Sequence, residues 1–429
     1  MYFKKFLDKH FLQIKEGGII VILKKIMSLF YLFFQLPIYL ISIPTIIVIT
    51  LIRPWYLIRW SELHASRIGH FTLNTELYCC ERDAKINTPT QRYKDFFYLS
   101  QNICNKTLES MWHRNLLILP RWLLKPINET NNFFFGKKNI HNINSPTNVD
   151  IDVHNLLEKF DSHINFTPDE EIKGKKTLEK IGLPQNAKFI CLLVRDSGYL
   201  NRHSYDKNTE RWSYHNYRNG NIDNFILAAE ELASRGYYVF RVGTNVMKPL
   251  NSSNPRIIDY SNSKIRSDFM DIYLGAKCFF CISAQGGFEG ISATFRRPIA
   301  VVSMPLGLAF TNNQKYLHLT KHHINRLNKK ELTISEIFSS KVALAYRSED
   351  FKNNNVELQE NTPEEIRDFV IEMEERINGS WKETDTDIFL QKNFWSVFEK
   401  NMSNTFKIHG KIKAKFSAKY LRDNKNFIN

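Results

Sequence analysis

Hydrophobic and polar positions change rhythm three times along the chain. From Ile26 to Ile52 no charged residue occurs, and this exceeds the roughly 20 apolar residues that a helix needs to cross a bilayer core. Pro37 and Pro44 interrupt the run, and cations flank both ends, Lys24 and Lys25 before it and Arg53, Arg59 and Arg67 after it. Its orientation is therefore poorly specified, and a kinked or re-entrant hairpin stays open beside a spanning helix. Upstream, Phe3, Phe6, Leu7, Phe11, Leu12, Ile19 and Ile20 are interleaved with six lysines, the pattern of an interfacial amphipathic helix. The apolar run begins too late for a signal peptide, so it reads as a retained anchor.

The second rhythm is mixed. A strand over Tyr56–Leu63, a loop over His64–His70 and a helix over Phe71–Arg82 form a strand, glycine turn, helix unit. A further strand, Asp95–Ser100, precedes a helix from Ile103 to His113. Between Asn128 and Asn148 the chain is rich in Asn and reads as an inter-domain connection. The third rhythm is regular alternation. Pro168 and the acids Asp169 to Glu171 open a helix that Gly182 and Pro184 stop. Strands Phe189–Val194, Tyr237–Val242, Arg256–Tyr260, Cys278–Ser283 and Pro298–Ser303 then alternate with helices Ile222–Ser234, Ser267–Gly275 and Phe288–Phe295. Such alternation predicts a doubly wound parallel sheet. Pro363 starts one more helix to about Asn378, and residues 407–425 are mostly basic.

Composition narrows this picture. A chain of 429 residues, 43% hydrophobic, is long enough for two packed domains. The 59 Lys and Arg against 44 Asp and Glu favour anionic partners such as phospholipid, nucleotide diphosphate or nucleic acid, without choosing among them. The six cysteines mostly sit in apolar runs and read as reduced core residues; Cys278 and Cys281 lie in a strand-like run whose members do not readily converge on a metal.

In an open parallel sheet, ligands sit beyond the carboxyl ends of the strands. The polar residues there are Arg195, Asp196 and Ser197; Gly243 and Thr244; Tyr260 and Ser261; and Ser283, Gln285, Gly286, Gly287 and Glu289. The paired glycines let backbone amides approach a diphosphate, or simply make a tight turn. Arg195 offers a guanidinium fork to phosphate, with a surface ion pair to Asp196 as the plain alternative. The run Tyr214–Asn219, holding His215, Tyr217, Arg218 and Asn219, suits sugar or phosphate recognition but is equally an ordinary loop. Arg67, Gly69 and His70 open the first helix with amide donors, a cation and an imidazole that can take a hydroxyl proton.

With these residues in view, the chain resembles a sparsely characterised bacterial family of glycosyltransferases. The matching signatures are Ser66–His70, Val194–Ser197, His215–Asn219, Gly236–Gly243 with Arg241 inside it, Ile258–Ser261 and Arg266–Asp271. More distantly, Val194–Asp196 is similar to the strand-end arginine motif of fucosyltransferase-like enzymes, with Asp196 in place of a second arginine. Arg67–His70 is similar to a turn of lipopolysaccharide heptosyltransferases, with His70 where those carry an aspartate.

The resemblance implies an α/β chain of two Rossmann-like domains, the GT-B arrangement, behind an N-terminal membrane-associated segment. Residues 1–55 would be that segment, 56–165 an acceptor-side domain, 166–357 the nucleotide-sugar domain and 358–429 helices with a basic tail. It implies Arg195 at the leaving diphosphate and His70 or Asp196 as base. Donor and acceptor would be a nucleotide sugar and a lipid-linked or surface glycan, at the cytoplasmic face of a bacterial inner membrane. No cofactor and no nucleic acid are expected. The anionic membrane surface would be held partly by Lys407, Lys411, Lys413, Lys415 and Lys419. Asp150-Ile-Asp152 and Asp385-Thr-Asp387 match the Asp-x-Asp metal motif of the rival glycosyltransferase fold, but both follow polar runs, so metal independence is expected. The alternatives are a membrane-tethered binding protein without chemistry and a degenerate transferase subunit.

Overall fold

The computed structural model describes residues 2–143, 151–198, 209–306, 312–402 and 410–428. In chain order its first half contains α1 (Tyr2–Ile52), β1 (Leu57–Leu63), a π-helical turn (His70–Asn74) running into α2 (Thr75–Asp83), β2 (Tyr93–Leu99), α3 (Lys106–His113) and α4 (Arg121–Phe135). Next come α5 (Pro168–Lys180), β3 (Phe189–Val194), α6 (Ile226–Ser234), β4 (Tyr238–Val242), β5 (Ile257–Ile258), α7 (Asp268–Lys277), β6 (Cys281–Ala284), α8 (Glu289–Thr294) and β7 (Ile299–Met304). The remainder comprises β8 (Tyr316–Thr320), β9 (His322–Asn325), α9 (Ile334–Ser339), α10 (Ser348–Asn353), β10 (Val356–Gln359), α11 (Pro363–Asn378), α12 (Asp385–Met402), β11 (Lys415–Phe416) and α13 (Ala418–Asp423).

The elements form two units with interleaved sequence. The first takes Met1–His64, Thr88–Asn102 and Leu116–Asn144; the second takes Ala65–Asn87, Ile103–Asn115 and Ser145–Asn429. In the first unit β1 and β2 pair in parallel from Leu57–Tyr93 to Leu63–Leu99, and single bridges to Asn142 and Ile118 extend the two edges. Arg59 reaches across the pair to Asp95 in a forked bond of 2.8 and 2.7 Å. The core joins Ile46 and Ile49 of α1 to Trp60, Tyr98 and Leu124. The second half of α4, from Asn128 to Phe135, falls in the stretch that the Asn-rich composition marks as a connection. Its asparagines bond to one another and to the returning chain: Asn131 donates to Asn139 at 2.9 Å, and Asn142 to Asn132 at 2.6 Å.

The second unit carries the large sheet, in the order β11-β8-β7-β6-β3-β4-β5, with every pair parallel. Reading from β3, its first six strands have the order 3-2-1-4-5-6 of a doubly wound Rossmann sheet. β3, FICLLV, is buried at all six positions, as a central strand covered on both faces must be. α5 and α11 begin with the capping boxes that Thr167 and Thr362 announce, each with Pro at the first turn.

Two expectations change. A complete Rossmann-like domain over 56–165 is not what the described residues form: the first unit has a two-stranded sheet, and α2 and α3 belong to the second unit. The physical reason is that Leu77, Cys79 and Cys80 of α2 and Leu108, Met111 and Trp112 of α3 are buried there. The C-terminal tail is also no free basic arm. β11 adds a parallel strand beside β8, Lys413 and Lys415 pair with Glu158 and Glu383, and Lys419 pairs with Asp423 at 2.9 Å. Lys407 lies outside the described residues.

His323, on β9, is wholly buried; Leu306 N–H donates to its Nε2 at 3.3 Å, so Nδ1 donates to the Lys321 carbonyl at 2.9 Å. Burial pushes it down to about 4. A histidine depressed in the fold contributes stability above its unfolded value near 6.5, and this is lost as pH falls toward 4. Chemical denaturation between pH 7 and 4 is expected to show a loss of roughly 3 kcal/mol from this group, a slope that His323→Gln flattens. An unchanged slope in that variant would remove His323 as the cause.

Candidate functional site

At the carboxyl ends of the central strands the second unit encloses a cavity of about 520 Å³. The strand order reverses between β3 and β6, and this is where a doubly wound sheet opens a crevice. The residues that leave those two strands, Arg195 and Gln285, both line the cavity. Gln285 turns the chain with a left-handed backbone, φ 53°. Such a conformation in a non-glycine residue costs about 1 kcal/mol or more and is concentrated at ligand sites.

One wall comes from far earlier in the sequence. Arg67, Ile68, Gly69 and His70 enter the π-helical turn against Gln285–Gly290. The approach is backbone to backbone: a Cβ on Gly69 would lie 3.0 Å from Gly287 Cα, and one on Gly287 would lie 3.1 Å from Gly69 N. A Cβ on Gly290 would meet Thr72 Oγ1 at 2.7 Å. These glycines thus have a packing task as well as any ligand task. The wall is pinned from behind by Glu76, fully buried in α2, which accepts from Arg296 at 2.5 Å and faces His163 Nδ1 at 3.0 Å. His163 Nε2 reaches Asp83 at 2.9 Å. Burial opposes its charge, but Glu76 and Asp83 hold His163 above its ordinary value. Glu76, Cys80 and His163 could in principle ligate a metal, yet the Arg296 guanidinium already bonds Glu76 and lies 3.6 Å from Cys80, so the cluster reads as an ion-pair clamp.

The facing wall is cationic. Arg195 donates to the His215 carbonyl at 3.2 Å and to the Asn219 side chain, both neutral acceptors. Arg218 contacts His215 Nδ1 at 3.2 Å, and its Nε is buried without a partner. Burial and then Arg218 push Arg195 down to about 10. Burial, followed by Arg218, Arg195, Arg67 and Arg347, pushes His215 down to about 4, which leaves it neutral near pH 7. The run His215–Gly220 is held in place by Gly220 N–H donating to Arg195 O at 2.9 Å and Lys321 Nζ donating to Asn219 O at 2.7 Å.

The sequence candidates therefore separate into lining and supporting groups. Arg67, Gly69, His70, Arg195, Asp196, His215, Tyr217, Arg218, Gly243, Thr244, Gln285, Gly286, Gly287 and Glu289 line the cavity. Ser197, Asn219, Arg241, Tyr260, Ser261 and Ser283 do not. Arg241 is buried beneath, 3.4 Å from Asp259 and 3.9 Å from Asp196. Asp196 accepts from Gly198 N–H at 2.9 Å and Met247 N–H at 2.7 Å, so it ties the loops after β3 and β4 together. Ser261 donates to Arg241 O at 3.1 Å, Tyr260 to Asp271 at 2.9 Å, and Ser283 to Glu289. His70 Nδ1 faces Asn74 Nδ2 at 3.5 Å.

Sequence reasoning missed Arg266, Asp271, Asn312, Asn313 and the apolar floor of Leu73, Leu157, Ile299 and Leu306. Arg266 and Asp271 stood inside a quoted signature, and their 2.8 Å pair is the feature it concealed. Neither Asp-x-Asp motif presents two free carboxylates. Asp152 caps the amides of Leu156 and Leu157 at 2.8 Å each, and Asp387 bonds Thr384 and Arg422. Asp150 lies outside the described residues.

No family model matches the chain, and no curated protein matches it. Among solved structures, it is similar to E. coli ADP-heptose LPS heptosyltransferase II, at 11% identity and TM-score 0.39 over 62% of this chain and 90% of that one. It is also similar to a family 9 glycosyl transferase from Veillonella parvula, at 12% identity and TM-score 0.36 over 59% and 82%. Both are glycosyltransferases, the class that the strand-end motifs resemble. Likenesses this distant carry no weight as to what the cavity does.

The contact of Gly69 with Gly287 leaves a valine side chain no space. Gly287→Val is expected to cost about 1–3 kcal/mol of stability through overpacking, read as a lowered unfolding temperature of the full chain. An unfolding temperature equal to that of wild type would mean the two segments part without cost.

Proposed function

We propose that the second unit is a glycosyltransferase that binds a nucleoside-diphosphate sugar and moves the sugar to a hydroxyl acceptor. The observation that carries this reading is the pair Arg195 and Arg218: two guanidiniums at the switch point of a Rossmann sheet, with no ion pair to a carboxylate among the described residues. Both residues are half-buried, and half-buried cations whose bonds go to neutral acceptors carry part of the cost of burying a charge, which an anionic ligand removes. A diphosphate supplies two charged groups with oxygens suited to guanidinium forks.

In the proposed step the acceptor oxygen forms a bond to the anomeric carbon as the bond from that carbon to the diphosphate breaks. The electron pair of the breaking bond goes to the phosphate oxygen, where Arg195 and Arg218 stabilise the growing charge. The acceptor proton goes to a base in the same cavity. His70 is the candidate, because Asp196 is engaged by two backbone amides and faces Arg241. Asp152 and Asp387 are already engaged as caps, so the reading places no metal on them. The apolar floor suits a partly apolar acceptor such as a lipid-linked glycan, and the apolar α1 suits a site of action at the cytoplasmic face of a bacterial inner membrane.

The test is transfer from a panel of labelled nucleotide sugars by membranes that contain the protein, with nucleoside diphosphate affinity measured on the purified full chain. Arg195→Ala and Arg218→Ala are each expected to abolish transfer and to weaken diphosphate binding about 10- to 100-fold, the worth of one charged hydrogen bond. Transfer within a few-fold of wild type in both variants would remove this pair from the mechanism.

A further inference from the structure

Gln35–Ile52 is long and apolar enough to cross a membrane, but its packing places it differently. Within the first unit one stripe of this helix, Gln35, Ser42, Ile46 and Ile49, is buried. Ser42 Oγ meets Thr130 Oγ1 at 2.6 Å, Tyr39 bonds Glu129, and Ile46 and Ile49 share a core with Leu124, Trp60 and Tyr98. From Ser42 against Thr130 to Ile46 and Ile49 clustered with Leu124 the contacts run back along α4, so the two helices run antiparallel. The opposite stripe, Leu36, Leu40, Ile43, Ile47 and Leu51, is exposed, Leu40 at 62% and Leu51 at 66%. At 3.6 residues per turn the two stripes fall on opposite sides of the helix.

We infer that α1 lies in the plane of a bilayer surface, with Leu36, Leu40, Ile43, Ile47 and Leu51 in the lipid, and does not cross the membrane. A crossing helix would carry its partners into hydrocarbon. Those partners include the Lys125–Glu129 pair, the Arg59–Asp95 pair and a sheet that is not closed into a barrel, and none of these is tolerated facing lipid. The part of α1 left to span lies between the break at Gly18 (φ 55°) and Gln35. At 1.5 Å per residue it reaches only about 24 Å, short of the roughly 30 Å core, and it contains Lys24 and Lys25.

The occupant of the exposed stripe is an anionic phospholipid surface. The same unit exposes Trp55 at 75% and Phe133 at 83%, aromatic rings of the kind that settle at headgroup level. It also exposes Arg53, Lys137 and Lys138, which match anionic headgroups. This inference is independent of the transferase reading, since it concerns the first unit alone.

Two measurements on the full chain test it. In bacterial membranes, epitopes at the N-terminus and the C-terminus are both expected to be digested from the same side, both cut in inverted vesicles and both protected in spheroplasts. Digestion from opposite sides would mean α1 spans, and would overturn the inference. Replacing Leu36, Leu40, Ile43 and Ile47 by Ser is expected to lower partition into phosphatidylglycerol-containing vesicles about tenfold or more, with the unfolding temperature unchanged because those side chains are exposed. Partition equal to wild type would overturn the lipid assignment. So would a change from dimer to monomer with partition unaffected, which would make a second copy the occupant.

Discussion

At the cavity two stretches of backbone, more than two hundred residues apart in sequence, touch without a side chain between them. Gly69 and Gly287 come so near that a Cβ on Gly69 would stand 3.0 Å from Gly287 Cα. The rest of the site depends on this approach, because it brings Arg67 and His70 to the cavity formed at the ends of β3 and β6. The approach is held from behind by the fully buried Glu76, shared between Arg296 and His163. A buried carboxylate that lost one of these partners would leave an uncompensated charge. The clamp and the glycines therefore act together, the first supplying the holding force and the second the space.

The electrostatics of the cavity follow from the same construction. Strand ends and loops deliver Arg218, Arg195, Arg67 and Arg347 around His215, and burial first, then their combined field, keeps that imidazole neutral near pH 7. Acids that could answer this field are used elsewhere. Asp196 ties two loops together, Glu289 accepts from Ser283, and Asp271 pairs with Arg266 and Tyr260. What results is a wall on which Arg195 and Arg218 bond neutral groups while the cavity's carboxylates are bonded to other partners, which is an arrangement suited to an anionic ligand.

Much of this was legible in the sequence where burial is one-dimensional. β3 was read at its true bounds because a strand covered on both faces is an unbroken apolar run, and the helix starts at Pro168 and Pro363 announce themselves by local chemistry. Arg195 and Gly286 were legible as site candidates because they follow strands, and His215 and Arg218 because they stand in a dense polar and aromatic run. What escaped depends on distant partners. β11 is two residues long and exists only through β8. α4 hides among asparagines whose bonds are to one another, and Leu77 or Trp112 gives no sign of which unit will bury it. The support that Glu76 draws from Arg296, and the role of Asp196 at Met247, are contacts that no local pattern encodes.

The central claim is that the cationic wall receives a diphosphate. It is tested most directly by a crystal structure of the full chain grown with a nucleoside diphosphate. The account predicts phosphate oxygens within hydrogen-bond reach of both Arg195 and Arg218 in the cavity between the β3 and β6 ends. A diphosphate bound elsewhere, with these two guanidiniums still turned to His215 and Asn219 alone, would contradict it.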